Sequence, residues 1–172
     1  MTTIASNADR HRTTPAGPLP RSRLRTATPA AVLPSAVRLN VALGVLRGIA
    51  GVVFVAHGAQ KLFVFGLVGV TGAFEGMGVP LAGIAGPAVA LLEFFGGLAL
   101  IAGLFTRLTA AGLAITMLGA ALLVHLAAGF FLPNGVEFVL TLFGAAVALA
   151  LTGPGTYSLD ALLAWRRARA DV

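Results

Sequence analysis

Cysteine is absent from the chain. That excludes disulfides, thiolate metal centres, iron–sulfur clusters, covalently attached c-type haem and thiol redox chemistry carried out by this polypeptide. Any redox role must therefore use a borrowed cofactor. Charge is scarce as well: Asp, Glu, Lys and Arg make up 10% of the 172 residues, against about 25% in soluble domains. What fills the sequence instead is apolar, with 58% hydrophobic residues and a mean hydropathy of +0.93. This is the composition of an integral membrane protein. The net charge of +6 does not point to nucleic acid. The arginines flank apolar runs, and no aromatic-interleaved basic patch or recognition motif accompanies them.

Residues 1 to about 37 are rich in Thr, Pro, Ala and Arg, hold one acidic residue, Asp9, and show no apolar periodicity. They read as a disordered cytosolic tail. No short apolar run with a small-residue cleavage site precedes residue 39, which argues against a processed leader. An all-α membrane domain is expected over about 38–153, a bundle of four spans at about 47–66, 84–105, 108–129 and 136–152. Each is near the ~20 residues that a helix needs to cross ~30 Å of hydrocarbon, the fourth being the shortest. Lipid cannot satisfy an open backbone, so the spans must be helical.

With both termini cytoplasmic, Arg38, Arg47, Arg107, Arg166, Arg167 and Arg169 all fall inside, while the outer connections carry Glu75 and Glu137 but no Arg. That arrangement meets the positive-inside rule for a plasma-membrane protein. Arg47, Arg107, Trp165, Arg166 and Arg167 are the expected topology anchors. The first outer connection, 67–83, is Gly-rich and open to three readings, a short lid helix, a re-entrant cap or a plain loop on the headgroups. Gly153-Pro154-Gly155 stops the fourth span. Ser158 then offers an N-cap for a helix lying on the inner surface, within an interfacial segment 154–172, with Leu159, Leu162, Leu163 and Trp165 toward lipid.

Against this background the ionisable residues inside or at the mouths of the spans stand out: His57, Lys61, Glu93, His125 and Glu137. A charge at the bilayer centre costs about 2.5 to 3.5 kcal/mol even on lenient insertion scales. At ~1.5 Å of rise per residue, His57 and Glu93 lie roughly 13 Å from the outer end of their spans, Lys61 roughly 8 Å, His125 roughly 6 Å and Glu137 almost at the surface. The five form a ladder in one half of the membrane. His57 and Lys61 share a helix face, and Glu93 could pair with either. Gly58, Gly96 and Gly97 would let the first two spans approach closely around the pair. Plainer roles compete at some positions: snorkelling for Lys61, interfacial anchoring for Glu137 and Arg47, a neutral interhelical hydrogen bond for His125. Glu93 has no polar neighbour in its own helix and must find a partner in the bundle. Phe63, Phe65, Phe74, Phe94, Phe95, Phe130 and Phe131 are candidates for lining a flat-ring site, with ordinary packing as the default. Gly44-x-x-x-Gly48 supports helix packing or self-association.

The order Arg47, His57-Gly58-x-x-Lys61-Leu62-Phe63, Gly78-Val79-Pro80, Glu93-x-x-Gly96-Gly97, Gly103-x-x-Thr106-Arg107, His125, Gly129-Phe130-Phe131 and Gly153-Pro154-Gly155-x-Tyr157-Ser158-Leu159-Asp160 resembles the DoxX family of small bacterial and archaeal membrane proteins, over about residues 47 to 160. The resemblance implies a four-helix membrane bundle, in a family named after a subunit of a thiosulfate:quinone oxidoreductase. Without Cys, a sulfur-transfer step would need a partner subunit.

The expected function is that of a quinone-facing or redox-partner subunit. His57, Lys61 and Glu93 would hydrogen-bond a quinone's carbonyls and relay its protons. No intrinsic cofactor or metal site is expected, and b-type haem ligation by His57 and His125 ranks last. The expected partners are the bilayer, a soluble or membrane redox protein, and other copies of this chain. Two other classes fit the same ladder: a proton or small-solute transporter, and a non-catalytic assembly scaffold whose charges pair with a partner's span.

Overall fold

A computed structural model describes residues 34–170. Pro34 is followed at once by helix α1, Ser35–Ala59, so residues 35–37 are helical rather than tail. Residues 1–33 of the segment read as disordered lie outside the described residues. The chain then forms a π-helical stretch, Gln60–Phe65, followed by α2 (Gly66–Gly76), α3 (Ala82–Ala102) and α4 (Thr106–Ala120). A second π-helical stretch, Ala121–His125, and a 3-10 turn, Leu126–Ala128, continue α4, and α5 (Glu137–Thr152) and α6 (Leu159–Ala170) complete the described chain. Among the described residues there is no strand.

Three helical stretches are long and apolar enough to cross a membrane: Ser35–Gly76, Ala82–Ala102 and Thr106–Ala128. α5 is apolar but has 16 residues, about 24 Å of helix. The first stretch runs past both expected ends. Its apolar lead-in is regular helix with Leu39, Val41 and Val45 exposed, as suits a lipid-facing turn. The Gly-rich connection after it takes the lid-helix form: α2 packs through buried Val70 onto the backbone at Gly86.

Glycine decides how α1 meets α3. A Cβ at Gly58 would sit 2.3 Å from the Phe94 backbone nitrogen, and one at Gly97 would sit 2.7 Å from that of Val55. The two helices touch backbone to backbone there, which only glycine permits. Gly96 faces the other way, toward Thr109 and Leu113 of α4. Phe54, Leu100, Leu113 and Leu149, from α1, α3, α4 and α5, form the fully buried centre of the bundle.

The end of the bundle away from α2 is tied by polar groups. Gly103, at φ 71°, ends α3 in a Schellman turn: the Leu104 N–H donates to Ala99 O at 2.9 Å and the Gly103 N–H to Leu100 O at 3.1 Å. α4 starts immediately afterwards with no local side-chain cap. Its cap comes from α6 instead, where the two carboxylate oxygens of Asp160 accept from the Phe105 and Thr106 N–H groups at 2.8 and 3.0 Å. Arg47, 5% exposed, donates to the carbonyls of Pro154 and Tyr157. Asn40 Oδ1 accepts from the Thr156 N–H. Ser158 caps α6 as expected, its hydroxyl accepting from the Ala161 N–H at 3.1 Å.

Asp160→Ala is therefore expected to destabilise the bundle by about 1 to 2 kcal/mol, the worth of an N-cap. Thermal unfolding in mild detergent would register it as a lower midpoint. Ser158→Ala should move that midpoint less, since α6 can fray without opening the core.

Candidate functional site

A cavity of about 720 Å³ lies in the half of the bundle nearer α2, within the ~300–1,000 Å³ range typical of ligand pockets. Its walls come from α1, α3, α4 and α5. Met77, Val79 and Pro80 of the α2–α3 turn, with Leu132, Pro133 and Gly135 of the loop before α5, line it as well. The lining is apolar apart from a few groups, among them His57, Lys61, Glu93, Thr116 and His125.

Lys61 and Glu93 form an ion pair, Nζ to Oε2 at 2.5 Å, with the Glu93 side chain 4% and the Lys61 side chain 20% exposed. The carboxylate thus has the partner its burial requires. Lys61 belongs to the first π-helical stretch and His125 ends the second. A π-bulge inserts an extra residue into a turn and re-aims the side chains it carries, and such bulges are frequent at functional sites. Here both bulges deliver an ionisable side chain to the same cavity.

His125 Nδ1 lies 2.8 Å from the carbonyl oxygen of Asn134. A carbonyl only accepts, so Nδ1 carries the proton, and Nε2 is the free acceptor of the neutral ring. His57 is exposed on the cavity wall, its ring centroid 5.8 Å from that of Phe138.

Glu137 lies off the cavity. Its Oε1 accepts from the Leu132 N–H at 2.7 Å, and its own N–H donates to Phe130 O at 3.0 Å, so it staples the loop that roofs the site. The ladder read from the sequence therefore keeps four of its five members in one place. Arg47 lies buried at the opposite end, holding the 154–157 loop, while Arg107, Trp165, Arg166 and Arg167 are exposed. Arg169 stacks over the Trp165 ring, its guanidinium carbon 3.9 Å from the centroid.

The aromatic lining differs from expectation. Of the seven phenylalanines singled out, only Phe74 reaches the cavity; the others on its wall are Phe54 and Phe138. Phe63, Phe65, Phe95, Phe130 and Phe131 are exposed on the outside of the bundle. A usable signal existed in the spacing of Phe54 three residues before His57, which puts both on one helix face. Among the described residues no group of three or more His, Asp or Glu side chains converges as metal ligands would. The arrangement suits hydrogen bonding and proton exchange with a largely apolar ligand.

Comparison with known proteins places the chain. The DoxX family profile matches residues 42–126. The inner membrane protein YqjF of Escherichia coli is 41% identical over 128 residues, which cover 72% of this chain and 93% of that protein. The chain belongs to the DoxX family. A Bacillus subtilis relative named "Putative oxidoreductase CatD" is 34% identical over 115 residues, 67% of this chain and 81% of its own length. An uncharacterized membrane protein of Mycobacterium tuberculosis is 31% identical over 132 residues, 70% of this chain and 80% of its own. No solved structure gives a significant match. This DoxX chain is a membrane protein whose apolar helices contact the bilayer. His57, Lys61, Glu93 and His125 all fall inside the profile match, whereas Asp160 lies beyond it.

Proposed function

We propose that this protein is a four-span subunit of a membrane redox system and that its cavity binds the ring of an isoprenoid quinone. The observation that carries the reading is an apolar cavity into which an ion pair and two imidazoles converge. In the proposed orientation both termini are cytoplasmic. Arg38, Arg107, Arg166, Arg167 and Arg169 then lie inside, and the cavity opens in the outer half. α5 is the fourth span, short because the 130–136 loop continues it toward the outer surface.

A quinone takes up two protons with two electrons, and the chain's own residues supply the proton side of that exchange. The Lys61 ammonium donates a hydrogen bond to a ring carbonyl. Glu93 holds Lys61 in place and accepts or returns a proton. The His57 ring donates to the second carbonyl, and His125 Nε2, an acceptor, takes a hydrogen bond from the hydroxyl formed when the ring is reduced. Electrons come from a partner redox protein, because the chain has no thiol of its own. The name of the Bacillus subtilis relative agrees with an oxidoreductase setting. Conduction fits less well. Beyond Glu93 the centre of the bundle is filled by Leu100, Leu113, Ala146 and Leu149 at 0% exposure, which provides no polar step toward Arg47.

The test is equilibrium binding of menaquinone and ubiquinone analogues to the protein in nanodiscs. Saturable one-to-one binding is expected, weakened about tenfold, or ~1.4 kcal/mol, by Glu93→Gln. Absence of saturable binding by unmodified protein, across both ring types, would rule the reading out.

A further inference from the structure

The side of the cavity facing α5 is not closed by glycine contacts like those that seal α1 against α3. Between α1 and α5 lies an open groove of about 470 Å³, lined on α1 by residues between Ala42 and Val53 and on α5 by Thr141, Leu142 and Ala145. From Ala42 to Val53 it extends about 17 Å along the helix axis. Its one polar side chain, Thr141, spends its hydroxyl proton on Glu137 O at 2.8 Å. An occupant therefore meets almost nothing but hydrocarbon.

Leu142 is a wall of both spaces: it lines the groove and also the cavity that holds the Lys61–Glu93 pair. The two are thus adjoining compartments, one carrying polar groups and one without them. The groove leads away from the cavity toward the Arg47 end, along the helices, the direction in which lipid chains run. We infer that it holds the isoprenoid tail of the quinone, so that the protein selects long-tailed quinones rather than free rings. The inference rests on the ring site proposed above. Two further features favour a tail over a helix from a second copy. Gly44 and Gly48, the small-residue motif that could seat a second copy's helix, are not among the groove residues, and Ile49, which lines it, is a bulky exposed side chain.

The groove can be narrowed where the fold tolerates it, by Ala42→Phe on an exposed position and Ala145→Phe opposite. Affinity for a quinone with several isoprene units and for a tail-less analogue with the same ring would be measured in nanodiscs. Each variant should weaken the long-tailed ligand about tenfold and change the tail-less one by less than about twofold. As a second measurement, a quinone bearing a diazirine on its tail, photolysed in unmodified protein, should label the peptides containing the groove walls, Ala42 to Val53 or Thr141 to Ala145. If both ligands respond equally to groove filling, or the label falls on neither residues 42–53 nor residues 141–145, the inference is overturned while ring binding stands. The groove would then belong to a phospholipid chain or a second copy. If neither ligand binds unmodified protein, the ring site and the tail site fall together.

Discussion

Alanine in place of Gly58 should destabilise the protein strongly. The added Cβ would lie 2.3 Å from the Phe94 nitrogen and 2.7 Å from its Cα, main-chain atoms that cannot swing aside. α1 and α3 would have to separate, and overpacking of this kind costs about 1 to 3 kcal/mol, more when backbone is what must move. The expected result is a sharp fall in folded, monodisperse protein on size exclusion and a lower unfolding midpoint in SDS titration. Gly48→Ala is the matched control. It lies on the same helix with nothing within 4 Å of the would-be Cβ, so it should be neutral or mildly stabilising, since alanine is the better helix former by about 1 kcal/mol. Equal behaviour of the two variants would mean that the close contact is not what holds the helices together.

The second large effect concerns the ion pair. Lys61→Met leaves a 4%-exposed carboxylate without its partner, and removing one member of a buried pair costs about 3 to 5 kcal/mol. Glu93→Leu should be similarly damaging. The double variant Lys61→Met/Glu93→Leu should recover most of the stability, because an apolar pair of similar volume needs no desolvation. Quinone binding should stay lost in the double variant, which separates the pair's role in folding from its role at the site. Additive destabilisation in the double variant would show that the two side chains do not act as a pair.

Much of this was readable from side-chain chemistry alone. A carboxylate in the middle of an apolar helix must find a counterpart, and only Lys61 and His57 stood near its depth. The intramembrane histidines follow from the same scarcity of charge. The helix stop at Gly153 and the cap at Ser158 are local, and local signals read well. What could not be read depends on rotation about the helix axes. The π-helical stretches at Gln60–Phe65 and Ala121–His125 shift the faces of both helices, and no residue pattern marks them. Phe63 and Phe65 consequently point outward, whereas Phe54, about two and a half turns before Phe63 on the regular part of α1, reaches the cavity. Glu137 was assigned by depth. At the start of α5 its nearest donor is the Leu132 N–H of the adjoining loop, a contact five residues away that hydropathy cannot anticipate. Arg47 looked like a headgroup anchor because it sits at a span boundary. The loop it holds arrives more than 100 positions later in the chain.

The carboxylate that finishes the start of α4 comes 54 positions after the residue it caps. During synthesis, at about 5 to 20 residues per second, that separation lasts roughly three to eleven seconds. Through that interval the opening N–H groups of α4 have no protein partner from α6, and the Gly103 to Thr106 hairpin must stay near water or headgroups to satisfy them. The hairpin's final depth in the bilayer is thus set late, when Asp160 arrives. Until then an insertase or the translating ribosome would be handling a bundle whose third apolar helix is placed but not yet locked.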